Sequence, residues 1–246
     1  IQRKAIGKVR GLKNRIVSRQ ALYSFRKKTR AYRDKHAGES CIITACGPSL
    51  DNLPDDVLEG FTIIGVNASF RKIKPTYVTI IDTALSWLDE AREYAHLNQI
   101  PLFISWNWGG FESQTKVYSN EITMPTQRFP VDYGKNGYPY REWLYRVYNN
   151  PHHLEDGVTC NASVVSESAI PLALYMGFQR IYLAGVDGKA SKNRVHFYKD
   201  NKEDMAVHKM NHEIAKQHDS QSDAFQVRMF AFDILAASVN RDRIFN

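Results

Sequence analysis

This sequence of 246 residues lacks several features that would decide its class at once. It has only three cysteines, Cys41, Cys46 and Cys160, and no C-x-x-C pair. A disulfide framework and a thiolate zinc site are therefore not indicated, and a reducing cytoplasm is the expected compartment. No apolar run is long enough to span a bilayer. The motifs D-x-D, G-x-G-x-x-G and the P-loop signature are also missing, which removes the usual carboxylate clamp for a Mg²⁺–diphosphate donor and two common phosphate loops.

Positive charge is concentrated at one end of the chain. The net charge is +7, yet residues 1–35 hold thirteen Lys and Arg side chains and one acidic residue, Asp34. The remaining residues have a net negative charge and show no cluster of basic residues typical of nucleic-acid binding. Apolar residues at helical spacing predict a basic amphipathic helix over residues 1–37. Three roles are open to it: packing on the domain or a neighbouring subunit, peripheral contact with an anionic membrane, or RNA binding.

Five short apolar runs predict the strands of a parallel sheet that is buried on both faces. They are residues 40–45, 61–66, 76–81, 101–106 and 180–186, and a further strand begins near the C-terminal RDRIFN. Helical patterns cover about 84–98, 161–176, 203–217 and 222–238. The alternation predicts an α/β domain over residues 38–246, with a Rossmann-like open, mostly parallel sheet and helices on both faces. Residues 107–156, rich in glycine, proline and aromatics, predict an irregular lid insertion.

Four predicted strands end in small or polar residues, where open α/β sheets bind their ligands. These ends are Cys46-Gly47-Pro48-Ser49, Asn67-Ala68-Ser69, Asp82-Thr83 and Gly185-Val186-Asp187-Gly188. Gly47 allows a backbone to approach closely. Ser49 is expected to cap a short helix whose N–H groups would bind a phosphate or another anion. The alternative is an ordinary strand-to-helix turn.

The order of these motifs resembles one superfamily with two branches. The segments are ITACGPSLDNL, GVNASF, PTYVTIIDTALSW, DGVTCNAS with AIPLALYMGFQRIYLAGVDG, and HFYKD, within about residues 40–246. One branch is the bacterial CMP-sialic-acid-dependent sialyltransferases. The other is the MptE-like family, named after archaeal hydroxymethylpterin diphosphokinase and including motility accessory factors. Both branches imply a nucleotide bound on a Rossmann-like sheet.

The resemblance implies roles for individual residues. Residues Cys46, Gly47, Pro48, Ser49, Asn67, Asp82 and Asp187 would hold the nucleotide, and Thr159, Asn161 and Ser163 would face the donor. His218 matches the position of the sialyltransferase general base, and His196 matches the MptE-like branch. Cys46 departs from the sialyltransferase pattern, which has Asn there, so a direct side-chain contact is lost.

The leading interpretation is a metal-independent glycosyltransferase with a His general base and no required cofactor. It would move a sugar from a nucleotide donor, CMP-activated and sialic-acid-like, to a bacterial surface glycan or protein acceptor. One alternative is a diphosphokinase that uses Mg²⁺ and ATP on a pterin-like alcohol. Another is a non-catalytic nucleotide-binding module.

A pair of histidines and a pair of tryptophans are two further candidates for a functional role. His208 and His212 are spaced i, i+4, but the Glu of H-E-x-x-H is missing, so no metal site is predicted. Trp106 and Trp108 end a predicted strand on the ligand side and are candidates for stacking on a sugar or base.

Overall fold

The computed structural model describes residues 20, 22–81, 87–106, 118–126, 138–159, 163–187 and 233–245. Within these residues, seven parallel strands form one sheet in the order β5-β4-β3-β2-β1-β6-β7. The strands are β1 (Ser40–Thr44), β2 (Thr62–Val66), β3 (Tyr77–Ile80), β4 (Leu102–Trp106), β5 (Glu121–Pro125), β6 (Arg180–Ala184) and β7 (Ile244–Phe245). The predicted Rossmann-like α/β class is confirmed.

The central strands form where the sequence has near-continuous apolar runs. In β1 and β2, every residue after the first is buried, and β3 is buried throughout. Such strands cannot leave one face in water, so both faces of the sheet are covered.

α-Helices and several short 3-10 helices cover the sheet in the described part of the chain. The α-helices are α1 (residues 22–29), α2 (Leu88–Leu97), α3 (Tyr138–Asn149) and α4 (Ile170–Tyr175), together with the helical residues 233–236. Side chains of α1, α3 and α4 share one core with one face of the sheet. Side chains of α2 and of the 3-10 helices Pro48–Asn52 and Asn67–Arg71 share the second core with the other face. None of the described helices combines the length and apolar character that crossing a bilayer needs.

The prediction of an irregular insertion over residues 107–156 is wrong for its described part. That part contains β5, which pairs with β4, and the twelve-residue helix α3. The local pattern of the β5 sequence, EITMP, does not predict a strand, because it starts with a charged residue and ends with proline. Glu121 is buried in an ion pair with Arg92 at 2.9 Å, and Pro125 is tolerated because β5 is an edge strand of the described sheet.

The described end of the basic segment packs on the domain. Phe25 is 1% exposed and belongs to the core beneath α1. The helix gives way to a 3-10 turn at Arg30–Tyr32, and the chain then reverses through Asp34, whose φ is +51°. Of the three roles considered, packing on the domain is therefore the one that residues 22–36 show. Residues 1–19 and the predicted helix at 203–217 lie outside the described residues, and of the predicted helix at 222–238 only residues 233–236 are described as helical.

Candidate functional site

The order of the strands places the candidate site between β1 and β6. From β1 the chain adds β2 to β5 on one side, whereas β6 and β7 lie on the other. The winding of the sheet therefore reverses between β1 and β6, and open α/β sheets bind ligands at the carboxyl ends of strands at such a point. Two of the four predicted strand ends meet here. We name them together the β1/β6 crevice, which consists of residues 45–49 and 185–187.

The two segments of the crevice touch through their backbones. Ala45 donates its N–H to the Ala184 carbonyl, and Gly47 donates to the Gly185 carbonyl, both at 2.8 Å. A Cβ atom on Gly47 would lie 2.5 Å from the Gly185 oxygen, and a Cβ atom on Gly185 would lie 2.6 Å from the Ala45 oxygen. Gly185 also has φ +69°, a conformation that favours glycine. The close contact between these two segments thus requires glycine at both positions.

Asp187 lies directly over the Gly-Pro-Ser turn. Its carboxylate accepts the N–H of Ser49 at 2.9 Å and also accepts the Ser49 hydroxyl. A carboxylate at this place is favoured by the partial positive charge where the 3-10 helix Pro48–Asn52 begins. The prediction that Ser49 caps this helix is wrong: the N-cap residue is Gly47, and the Ser49 hydroxyl instead donates to Asp187.

The backbone donors of this turn are used within the protein. Gly47 donates to Gly185 and Ser49 donates to Asp187, while the N–H of Leu50 donates to the Gly47 carbonyl at 3.0 Å. Pro48 has no N–H. The anion that faces the turn is therefore the Asp187 carboxylate, where the sequence predicted a phosphate. A negatively charged acceptor favours hydroxyl and amino groups of a ligand and disfavours its phosphates.

Asn67 presents an unpaired polar atom at the end of β2. Its φ is +51°, which is uncommon for a residue with a side chain. The Oδ1 atom is buried and has no hydrogen-bond partner among the described residues. Leaving such an acceptor unpaired costs about 1–3 kcal/mol. Asn67 therefore has the capacity to accept a hydrogen bond from a ligand, as its predicted role requires.

The side chain of Cys46 belongs to the core. Its exposed fraction is 9%, and its Sγ donates to the Val66 carbonyl at 3.3 Å. This contact joins the crevice to the last residue of β2, next to Asn67. The thiol connects two strand ends, and its predicted ligand contact stays a prediction.

Thr159 lies at the same edge of the sheet, on the side of β5. Val158 forms a parallel bridge with Thr126, just beyond β5, so Thr159 follows the carboxyl end of that strand. Thr159 is fully buried, and its hydroxyl has no partner among the residues described. Ser163 accepts the N–H of Glu167 at 2.9 Å at the start of the helical segment that leads to β6.

Glu167 is a buried carboxylate that the sequence analysis did not single out. It lies in the π-helical turn Val165–Ala169 that precedes α4 and is 0% exposed. Burial raises the pKa of Tyr148 well above its usual value, and the nearby charge of Glu167 raises it further. π-Helical turns are frequent at functional sites. A signal was present in the sequence, since Glu167 is the only Asp, Glu, Lys or Arg in residues 157–179.

Several predicted site residues lie outside the described part of the chain, and their roles stay predictions. These are Asp82, Asn161, His196, His208, His212, His218 and Trp108. Among the described residues, no group of three or more His, Cys, Asp or Glu side chains is placed to hold a metal ion.

Comparisons with protein-family models, with curated proteins and with solved structures found no match to this chain. The resemblance to sialyltransferases and MptE-like proteins therefore stays a prediction, whereas the Rossmann-like fold is seen directly in the sheet.

Proposed function

We propose that the β1/β6 crevice binds a nucleotide and that the protein is a glycosyltransferase whose donor substrate is a nucleotide sugar. The observation that supports nucleotide binding is the position of Asp187 above two touching glycines, where the winding of the sheet reverses. The transfer reaction is supported by the resemblance of the strand-end motifs to the sialyltransferase branch.

The crevice is suited to recognise the ribose of the nucleotide. Asp187 is exposed and uses two of its acceptor positions on Ser49. A carboxylate offers about four such positions, so a pair of ribose hydroxyls can donate to those that remain. Ribose recognition by a carboxylate at a strand end is common in Rossmann-type sheets. The phosphate then lies away from the turn at Ser49, because the donors there are occupied.

Asn67 supplies a second contact from the neighbouring strand. Because its Oδ1 is buried and unpaired among the described residues, a donor group of the ligand recovers the energy lost by leaving that oxygen unpaired. The exocyclic amino group of a cytosine is one donor of this kind. The two contacts together recognise the ribose and the base, and neither involves a phosphate.

Chemistry at the sugar requires a base for the acceptor hydroxyl. His218 and His196 remain the candidates for this role. We expect His218→Ala to retain nucleotide affinity and to lose transfer, measured as release of CMP from a CMP-activated sugar in the presence of acceptor glycans. Normal turnover by His218→Ala would remove that residue from the mechanism.

A thermal-shift panel tests the nucleotide. CMP, CDP, UDP, GDP, AMP and ATP are compared in EDTA and again with Mg²⁺. A ligand at 100 times its Kd stabilises the native state by about 2.7 kcal/mol, which raises the Tm of a protein this size by about 5–10 °C. Stabilisation by CMP in EDTA supports the proposal. Stabilisation by ATP only with Mg²⁺ would favour the diphosphokinase, and no response to any nucleotide would refute the proposal.

Two comparisons sharpen the assignment of Asp187. Deoxy-CMP should bind more weakly than CMP, since one of the hydroxyls that Asp187 accepts is missing. Asp187→Asn should weaken CMP binding by about 10-fold or more, because a hydrogen bond to a charged group contributes about 1.5–3 kcal/mol. Asp51→Asn is the matched control: Asp51 lies in the 3-10 helix Pro48–Asn52, which Asp187 contacts, but it pairs with Lys72 at 3.1 Å.

A further inference from the structure

A cluster of ion pairs joins the basic segment to the chain just before Thr159. Asp156 pairs with Arg26 at 2.6 Å, and Glu155 pairs with Arg33 and, at 3.4 Å, with Arg30. The Nε of Arg26 also donates to the Glu155 carbonyl at 3.1 Å. Three arginines from one end of the chain thus hold two consecutive carboxylates that lie more than a hundred residues away.

The Glu155 carboxylate is the centre of this cluster. It is nearly buried and also accepts the hydroxyl of Tyr175 in α4 at 2.9 Å. Burial acts to raise the pKa of Glu155, but the hydrogen bonds from Arg33 and Tyr175 outweigh it and hold the pKa below its usual value. Glu155 is therefore charged at neutral pH, and the arginines stabilise this charge.

Close backbone contacts with Pro125 hold the chain between this ion-pair cluster and Thr159. Gly157 has φ +106°, and a Cβ atom there would lie 2.4 Å from the Pro125 oxygen. Val158 donates its N–H to that same Pro125 oxygen at 2.9 Å. Thr159 comes next, and its buried hydroxyl has no hydrogen-bond partner among the described residues. A displacement of Asp156 must therefore move residues 157–159 at the carboxyl edge of the sheet.

We propose that Arg26 and Arg33 are positioning residues, which fix residues 157–159 through Asp156 and Glu155 and so set the place of the Thr159 hydroxyl. The described end of the basic segment then positions residues of the candidate site and is not a separate anchor. The effect on ligand binding rests on the proposed function; the effect on residues 157–159 does not.

Hydrogen–deuterium exchange on the full chain tests the positioning without any ligand. In Arg26→Ala, peptides that cover residues 157–159 should exchange about tenfold faster, as expected when local opening becomes easier. Lys27→Ala is the matched control, because Lys27 is an exposed cation of the same helix and has no ion pair with any described residue. Exchange at residues 157–159 that is equal in the two variants would overturn the proposal.

A charge reversal separates positioning from general loss of packing. Arg26→Glu combined with Asp156→Arg should restore slow exchange, whereas either change alone should not. Failure of the double variant to recover, while its Tm matches that of the unmodified protein, would overturn the proposal.

Nucleotide affinity gives the functional readout. With CMP as the probe, Arg26→Ala should raise the Kd about fivefold or more, in the range of typical couplings between sites, and Lys27→Ala should leave it unchanged. Equal affinity in the two variants would also overturn the proposal. If the unmodified protein binds no nucleotide, the proposed function fails, and the exchange measurements alone decide the positioning role.

Discussion

Gly185→Ala, compared with Gly60→Ala, measures how tightly the two segments of the β1/β6 crevice are pressed together. Both glycines have positive φ, +69° and +82°, so both substitutions force an L-residue into the left-handed region at a cost of about 1–2 kcal/mol. They differ in their surroundings. A Cβ atom on Gly60 meets nothing within 4 Å, whereas one on Gly185 lies 2.6 Å from the Ala45 oxygen and 3.2 Å from the Leu50 Cβ.

The additional cost at Gly185 follows from this contact. The Ala45 oxygen is backbone in the turn after β1 and cannot rotate away, so β1 and β6 must separate or distort. Overpacking of this kind costs about 1–3 kcal/mol. Gly60→Ala should therefore lower the free energy of unfolding by about 1–2 kcal/mol, and Gly185→Ala by about 2–5 kcal/mol.

Urea unfolding followed by tryptophan fluorescence provides the assay, since Trp87 and Trp143 are both buried. The two variants should share one m-value, so that the difference in midpoint reports stability alone. Equal losses in the two variants would refute the close contact of the crevice segments. Gly185→Ala should in addition weaken CMP binding, because the change moves Asp187, whereas Gly60→Ala should not.

Other perturbations test the ion pairs. Glu121→Ala removes the buried carboxylate that pairs with Arg92, while the pair of Arg92 with the exposed Asp89 at 3.7 Å remains; it should cost about 3–5 kcal/mol in urea unfolding. Glu90→Ala, which breaks an exposed pair with Arg71, should cost less than about 1 kcal/mol. Glu155 has a lowered pKa, so its contribution is complete above the pKa of the unfolded state and is lost as pH falls through the lower folded value. The ordinary pKa of a Glu carboxyl is 4.5. As the pH is lowered below this value, the Tm of Glu155→Gln should therefore fall less steeply than the Tm of the unmodified protein. Parallel Tm curves for the two proteins would contradict this.

Local pattern was sufficient to predict the central strands. β1 to β4 and β6 lie within the five apolar runs. In β1 to β4, burial on both faces leaves almost no choice of residue type. β5 was missed for the opposite reason: its first residue, Glu121, is satisfied by Arg92 from α2, a partner that no local pattern reveals. The same holds for α3, whose tyrosines and arginines resemble a loop until the buried face, with Trp143 and Val147, is seen against the sheet.

The meeting of two polar strand ends was predictable from the sequence, but the contacts between them were not. The strand-end residues 46–49 and 185–187 were found from sequence, because parallel strands present their carboxyl ends together. The bond between Ser49 and Asp187 joins residues 138 positions apart and could not be inferred from either segment alone. It changes the expected ligand group at the turn from a phosphate to a hydroxyl. Glu167 was missed because one acidic residue in a helical pattern is usually taken as solvent-exposed.

The central place of β1 has a consequence for biosynthesis. Ser40 in β1 pairs with Arg180 in β6, so the edge of β1 that faces β6 stays without its partner while the intervening chain is made. At ordinary translation rates this interval is on the order of ten seconds. An unpaired edge of an apolar strand is a template for pairing with other chains. The nascent protein therefore passes through a stage in which the β1 side of the β1/β6 crevice is an open sheet edge, and a chain that stopped before β6 would be expected to aggregate rather than to remain folded.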